Sequence, residues 1–244
     1  MDPTQSIWFK KRQGTDQCIY VFKELINSYL RSGSSVYCCF LDASKAFDRV
    51  NHTRLMKILL ERGVPVVFVR FLDYWYSNQC MYVRWGTATS NTFKIYNGVR
   101  QEGVLSPHLF NVYMNDLSIK LESLNFGLSY GNVRINHIMY ADNVVLFSPS
   151  VVGLQSMLKT CDRFGETADL FFNCTKTVCT CIASGKFPYA TSDFYLANRK
   201  LEIVDKIKYL GNMITYNLSD DRDMKKQVRS VYCRSNIARE IWKV

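Results

Sequence analysis

Two aspartates, Asp42 and Asp142, stand where the sequence could build a metal site. Asp42 closes the apolar run "SVYCCFLD", and Asp142 lies with Asn143 between the two apolar halves of "NHIMYADNVVLF". Carboxylate oxygens are preferred ligands of Mg²⁺, and two ions about 4 Å apart can hold the attacking and leaving oxygens of an in-line phosphoryl transfer. If the two runs form neighbouring strands, they predict a metal site with Asp42, Asp142 and Asn143 as ligands.

The stretch around Asp142 has a second interpretation. Asp and Asn tolerate turn conformations that Ala, Val and Leu do not, so Asp142 and Asn143 are also what a plain β-hairpin turn needs. Taken alone, the stretch leaves both interpretations open. They are compatible, because a hairpin turn would present the Asp142 carboxylate at its tip.

Composition and charge describe a globular, basic chain. Its 244 residues are 48% apolar and 14% aromatic, which supports a substantial core. The formal charge of +10 suits a polyanion such as nucleic acid or an anionic surface, with a merely basic protein as the alternative. The nine cysteines lack zinc-finger spacing, so buried, reduced thiols are expected.

The sequence shows neither a secretory signal peptide nor a membrane-spanning run. The N-terminal residues contain no signal-peptide core, and no segment approaches the roughly 18 apolar residues needed to cross a bilayer. We therefore expect an intracellular protein, in the nucleus or the cytoplasm, neither secreted nor bound to a membrane.

The elements that must position these residues alternate without the regular unit of a doubly wound sheet. Several strand pairs have short connections, which predicts an α+β fold with an antiparallel sheet and helices packed on one side. Ser106 is the expected N-cap of one helix, with Pro107 at its first position. The patterns predict helices near 16–30, 52–63, 65–77, 106–124, 151–170 and after 220, and strands near 35–42, 79–85, 92–98, 136–147, 178–182, 194–196 and 206–215.

Three segments carry a family resemblance: "FLDASKAFDRVNH", "NGVRQEGVLSPHLFNVYMNDL" and "YADN", in that order. With compatible spacing from about Trp8 to the end, the chain resembles the reverse transcriptase domain of non-LTR (LINE-type) retrotransposons. The resemblance implies a polymerase fold of fingers, palm and thumb, and an RNA-directed DNA polymerase activity. It also implies an RNA template, a DNA primer and dNTPs as partners, two Mg²⁺ ions as cofactors with Mn²⁺ as an alternative, and no obligate protein partner.

The first motif of the family assigns three residues. Its aspartate binds both metals, which corresponds to Asp42, and the carbonyl of Ala43 adds a ligand. Phe47 matches the bulky residue that blocks a ribose 2′-hydroxyl and so selects dNTPs, although an ordinary core phenylalanine fits the same position. Asp48, a possible helix cap or ion-pair partner, stays outside the catalytic set.

Later motifs assign residues around the nucleotide. Arg100 and Gln101 match residues that contact the incoming nucleotide and the template, as a cation and an amide suit phosphates and base edges. Lys176, in "LFFNCTKTVC", matches a lysine thought to protonate the departing pyrophosphate, with an ordinary surface lysine as the alternative.

The resemblance also assigns contacts with the nucleic-acid strands. "KYLGNMIT" matches the primer-gripping hairpin and nominates Tyr209, Leu210 and Gly211. The basic residues 10–12 match a fingers segment that touches template or triphosphate, and a solvated face is the other interpretation. The chain is thereby divided into partial fingers (1–34), a palm with a fingers insertion (35–219) and the start of a largely missing thumb (220–244).

Two motif positions depart from the family pattern. Asn143 replaces a second aspartate, which keeps an oxygen for Mg²⁺ but removes a negative charge. The interaction of that charge with the cations is worth a few kcal/mol, and about 1.4 kcal/mol corresponds to a tenfold change in rate. Glu102 replaces a glycine and places a repulsive carboxylate where backbone approaches the nucleotide. These changes favour a truncated or decayed copy with impaired synthesis, or a remnant that binds RNA or DNA without catalysis.

Overall fold

The computed structural model describes residues 15–43, 45–100, 103–185 and 192–218. Within these residues the helices are α1 (Thr15–Arg31), α2 (Ala46–Arg49), α3 (His52–Glu61), α4 (Val66–Ser77), α5 (Ser106–Glu122) and α6 (Val151–Ala168). The strands are β1 (Val36–Asp42), β2 (Cys80–Met81), β3 (Arg84–Trp85), β4 (Ala88–Thr89), β5 (Phe93–Lys94), β6 (Leu128–Tyr130), β7 (Val133–Ile135), β8 (His137–Tyr140), β9 (Asn143–Ser148), β10 (Val178–Ile182), β11 (Tyr195–Leu196), β12 (Arg199–Lys200), β13 (Glu202–Ile203), β14 (Lys206–Tyr209) and β15 (Asn212–Thr215).

The central sheet has five strands in the order β13-β10-β1-β9-β8. Strand β1 is antiparallel to both of its neighbours, β10 and β9, and β9 is antiparallel to β8. Among the described strands, only the β10–β13 pair is parallel. The sheet therefore confirms the α+β class and brings the ends of β1 and of the β8–β9 hairpin to one edge.

Helices cover both faces of this sheet, so the prediction of helices on one side was wrong. Cys38 and Phe40 of β1 pack into a core with α1, whereas Cys39 and Leu41 face a second core formed with α6 and extended by α3, α4 and α5. The uninterrupted apolar run of β1 is the physical reason, because a strand with apolar residues on both faces must be covered on both.

Most predicted elements lie within a few residues of their expected bounds, but the start of α5 differs. The helix begins at Ser106, and Leu105 occupies the cap position without a side-chain hydrogen bond. Ser106 is buried and its N–H donates to the Gly103 carbonyl at 3.1 Å, so a backbone turn replaces the predicted side-chain cap. The predicted final helix and the basic residues 10–12 lie outside the described residues.

None of the helices in the described ranges combines the length and the apolar character needed to cross a bilayer.

Candidate active site

Asp42 is the last residue of β1, and its backbone is held on the side away from β9. Its N–H donates to the Thr177 hydroxyl at 3.2 Å, and its carbonyl accepts the Asn173 N–H at 2.8 Å. Both the N–H and the carbonyl of Asp42 thus point away from β9. Asn143 of β9 lies opposite Asp42 in the ladder, and the two residues form a pair that is not hydrogen-bonded through the backbone. Cα atoms in such antiparallel pairs are only about 4.5 Å apart, so the side chains of Asp42 and Asn143 are close neighbours.

Asp142 lies in the two-residue turn that joins β8 to β9, where Tyr140 pairs with Asn143. The left-handed backbone falls on Ala141, with φ of 54°, and Asn143 is already the first residue of β9. The prediction that Asp142 and Asn143 together form the turn was therefore wrong by one residue. A short hairpin requires a positive φ, and the ladder on either side imposes it on Ala141 despite its Cβ.

The carboxylates of Asp42 and Asp142 interact electrostatically. Burial raises the pKa of Asp142, a backbone hydrogen bond lowers it, and the negative charge of Asp42 raises it again. A backbone hydrogen bond also joins the two segments, because the Ala43 N–H donates to the Asp142 carbonyl at 3.4 Å. The structure thus brings together the two aspartates that the sequence placed at strand ends, and a cation would relieve their repulsion.

Asn143 is the third polar side chain of this cluster. Its Nδ2 donates to Asp142 Oδ1 at 3.0 Å, so the amide partly satisfies a carboxylate. Across the residues that the structure describes, no group of three or more Asp, Glu, His or Cys side chains is arranged to hold a metal. Two carboxylates and an amide oxygen nevertheless fit Mg²⁺, which takes few protein carboxylates and completes its shell with water and phosphate. The Ala43 carbonyl accepts the Ala46 N–H at 2.8 Å, and its contact with a metal stays a prediction.

Lys176 reaches the same edge from the turn that precedes β10. Its Nζ lies 3.8 Å from Asp42 Oδ2, and the lysine side chain is 64% exposed. An exposed pair of this kind adds little to stability. The pair places a cationic amine beside the paired carboxylates.

Phe47 lies on α2, where it packs against the core. The residue is half-buried, and its ring stacks on Phe110 of α5 with centroids 4.2 Å apart and an interplanar angle of 15°. Its carbonyl accepts the Val99 N–H at 2.7 Å, which ties α2 to the segment ending at the exposed Arg100. Gln101, and Glu102 after it, lie outside the described residues.

Gly98 is a positioning residue that the motif reasoning did not single out. Its φ is 96°, and its N–H donates to the Val50 carbonyl at 2.8 Å. A Cβ at this position would lie 2.8 Å from the backbone of Asp48, so any side chain would push the segment before Arg100 away from α2. The Asn-Gly dipeptide was the available signal for this turn.

The predicted primer-gripping residues fall on the β14–β15 hairpin. Leu210 and Gly211 form its two-residue turn, with φ of 46° and 85°. Tyr209 is 3% exposed, and its ring packs on Phe40 with centroids 5.2 Å apart. The Tyr209 side chain therefore belongs to the core beneath the sheet, Leu210 is half-buried against the same core, and Gly211 is exposed at the turn. Primer contact by this hairpin stays a prediction.

A buried polar network supports the strand that leads to Asp142. His137, the first residue of β8, contacts Asn136 Oδ1 through Nδ1 at 2.7 Å and Ser118 Oγ through Nε2 at 2.8 Å. Burial lowers the pKa of His137 to about 4. The imidazole is therefore neutral at physiological pH, and its hydrogen bonds join β8 to α5.

Acid should destabilise the protein through His137. Its pKa is 6.5 in an ordinary environment and about 4 here, so the unfolded chain binds more protons between these values and stability falls as pH falls through that window. The full loss corresponds to about 3 kcal/mol. Urea unfolding from pH 7.5 to 4.5 measures it. The loss should shrink in His137→Gln and persist in the exposed control His108→Gln, and an equal loss in all three proteins would contradict the assignment.

Comparison with known proteins gives relatives of one kind. Residues 1–214 match a family described as reverse transcriptase (RNA-dependent DNA polymerase). The chain is 33% identical over 188 residues to the retrovirus-related Pol polyprotein from type-2 retrotransposable element R2DM of Drosophila melanogaster. This alignment covers 72% of this chain and 17% of that protein. It is 26% identical over 169 residues to the RNA-directed DNA polymerase from mobile element jockey of Drosophila funebris, and that alignment covers 69% of this chain and 18% of that protein.

Solved structures share the fold. Telomerase from Candida tropicalis, solved with a fragment of telomeric RNA, superposes with a TM-score of 0.61 over 89% of this chain and 34% of that chain. At 13% identity this likeness concerns the fold alone. The chain spans about a third or less of the length of the curated relatives named above and of a further R2 polyprotein from Popillia japonica, of which it covers 34%.

Proposed function

Because the chain belongs to the reverse transcriptase family, with non-LTR retrotransposon proteins among its relatives, we propose that it copies an RNA template into DNA. In this reaction the 3′-hydroxyl of a DNA primer attacks the α-phosphate of a dNTP, and pyrophosphate leaves. The observation that carries the proposal is the meeting of Asp42 and Asp142 at one edge of the sheet, where the charge of one raises the pKa of the other.

Metal binding is assigned to the same cluster. Asp42, Asp142, Asn143 and the Ala43 carbonyl would hold two Mg²⁺ ions, or Mn²⁺ in their place. When bound, these ions would neutralise charge on the reacting phosphate and activate the primer hydroxyl. The chain's own contribution is to fix Asp42 at the end of β1 and Asp142 in the turn of the adjoining β8–β9 hairpin before substrate arrives, which avoids reorganisation during the reaction.

The other side chains act on the nucleotide. Lys176, held 3.8 Å from Asp42, would donate its proton to the departing pyrophosphate. Phe47, fixed by its stack on Phe110, would exclude a ribose 2′-hydroxyl. Arg100 would bind phosphate, because a guanidinium matches phosphate geometry. We assign template contact to Gln101, and primer contact to the end of the β14–β15 hairpin at residues 209–211, where Gly211 is exposed.

Extension of a labelled DNA primer on an RNA template tests this function directly. Product that requires the template, dNTPs and either Mg²⁺ or Mn²⁺, and that disappears in EDTA, supports the proposal. Absence of product with both metals, from a folded protein that still binds the primer-template, would reject polymerisation and leave binding alone.

Nucleic-acid binding without catalysis is the second candidate, and a cavity of about 960 Å³ favours it. The cavity lies between α4 and the 97–100 segment, and its walls include the exposed rings of Phe71, Tyr74 and Trp75 together with Arg100. Exposed aromatic rings stack on unpaired bases, and cations attract the phosphate backbone. Together with the net charge of +10, this aromatic cavity suits single-stranded nucleic acid.

Substitution of Tyr74 should weaken the binding of single-stranded RNA. Tyr74 is 72% exposed, so Tyr74→Ala removes a stacking surface with little effect on the core, and we expect about a tenfold loss of affinity. Fluorescence anisotropy with a labelled oligonucleotide in EDTA measures this independently of catalysis. The matched control is Tyr20→Ala, which removes a tyrosine of 69% exposure from α1. Equal affinities of the two variants would contradict a role for the cavity.

A further inference from the structure

The β1–β10 ladder ends before the catalytic end of β1. The last paired residues are Phe40 and Val178, whereas β1 continues to Asp42. The N–H and carbonyl of Asp42 on this side would therefore lack strand partners. They are satisfied instead by the turn before β10, through the Thr177 hydroxyl at 3.2 Å and the Asn173 N–H at 2.8 Å.

The turn that makes these contacts is itself closely hydrogen-bonded. The Asn173 side-chain oxygen accepts the Thr175 N–H at 3.0 Å and the Thr175 hydroxyl at 2.7 Å. The Asn173 carbonyl accepts the N–H groups of Lys176 at 3.1 Å and of Thr177 at 2.8 Å. Thr177 is 1% exposed, so its hydroxyl contacts Asp42 inside the protein. The same turn carries Lys176 to the Asp42 carboxylate.

We propose that Thr177 is a positioning residue whose hydroxyl fixes the backbone of Asp42 and thereby the direction of its carboxylate. Through Thr177 and Asn173, the turn also couples the metal ligand Asp42 to the proton donor Lys176, so that the two keep one relative position. The functional meaning of this coupling rests on the proposed polymerase function, whereas the backbone contact can be tested without it.

Three variants separate the hydroxyl from the rest of the side chain. Thr177→Val keeps the shape and removes the hydroxyl, and Thr177→Ser keeps the hydroxyl and removes the methyl group. The matched control is Thr180→Val on β10. Thr180 is 3% exposed, and its hydroxyl has no hydrogen-bond partner in the described ranges, so its removal leaves no acceptor or donor unpaired.

Hydrogen exchange tests the contact in the protein without added metal. The Asp42 amide should exchange about tenfold faster in Thr177→Val, because its acceptor is gone, and at an unchanged rate in Thr177→Ser and Thr180→Val. Circular dichroism checks that each variant is folded. Exchange at the wild-type rate in Thr177→Val would overturn the proposal, and so would equal acceleration in Thr177→Ser.

Catalysis and metal binding test the consequence. In Thr177→Val we expect kcat to fall about tenfold to a hundredfold with little change in KM for dNTP, and the Mg²⁺ concentration for half-maximal thermal stabilisation to rise. Thr177→Ser should recover most of both, and Thr180→Val should resemble wild type. Unchanged kcat and Mg²⁺ dependence in Thr177→Val would overturn the positioning role. If wild type does not extend primers, the proposed polymerase function is rejected. The positioning of Asp42 by Thr177 is still tested, because hydrogen exchange and stabilisation by Mg²⁺ do not depend on primer extension.

Discussion

Asp42→Asn should reduce primer extension by at least about a thousandfold, which corresponds to about 4 kcal/mol of transition-state stabilisation. The substitution keeps the size of the side chain but removes one of two charges that would hold the cations. It also removes the charge that raises the pKa of Asp142. Single-turnover extension with saturating primer-template and dNTP measures the effect on chemistry.

Thermal unfolding provides a second measurement for Asp42→Asn. Without metal the variant should unfold near the wild-type temperature, because its ion pair with Lys176 is partly exposed and the loss of charge relieves the repulsion of Asp142. Added Mg²⁺ should stabilise wild type and leave the variant almost unchanged. Asp16→Asn, at the exposed start of α1, is the control and should behave as wild type in both assays. Extension by Asp42→Asn within tenfold of wild type would contradict a metal-binding role for Asp42.

The meeting of Asp42 and Asp142 was predictable from sequence because each lies where a strongly apolar strand ends. An apolar run buried in a sheet leaves few registers open, and a two-residue hairpin fixes the register of its strands. The observed pairs, Asp42 with Asn143 and Tyr140 with Asn143, follow from these constraints. The family motifs then supplied the roles that strand patterns alone cannot give.

Other features depend on contacts that no local pattern records. The Asp42 N–H and the Thr177 hydroxyl are 135 positions apart in the chain, and a buried threonine has no sequence signal that distinguishes it from Thr180, whose hydroxyl has no partner in the described ranges. Tyr209 was assigned to a primer contact by its motif, yet the ring is needed to fill the core above Phe40. A motif indicates which residues belong to the site, whereas the packing of the folded chain determines which side chains are exposed to solvent and substrate.

Asn143→Asp should strengthen metal binding and raise the rate of synthesis about tenfold or more. The new carboxylate would lie opposite Asp42 in a close pair and beside Asp142, where two charges at an effective dielectric near 20 interact by a few kcal/mol. Without metal this is repulsion, so the variant should unfold at a lower temperature than wild type in EDTA at pH 7.5. With Mg²⁺ the same charges become ligands, so its stabilisation by metal should exceed that of wild type.

Asn143→Ala separates the effect of adding a charge from the effect of removing the amide. It removes the hydrogen bond of 3.0 Å to Asp142 without adding a carboxylate, so its stabilisation by Mg²⁺ should not exceed that of wild type. If Asn143→Asp increases stabilisation by metal but not synthesis, the double variant with Glu102→Gly should extend primers faster, because the second departure then limits the reaction. Asn143→Asp that binds Mg²⁺ no better than wild type would show that this position does not face the cations, and the assignment of Asn143 as a ligand would fail.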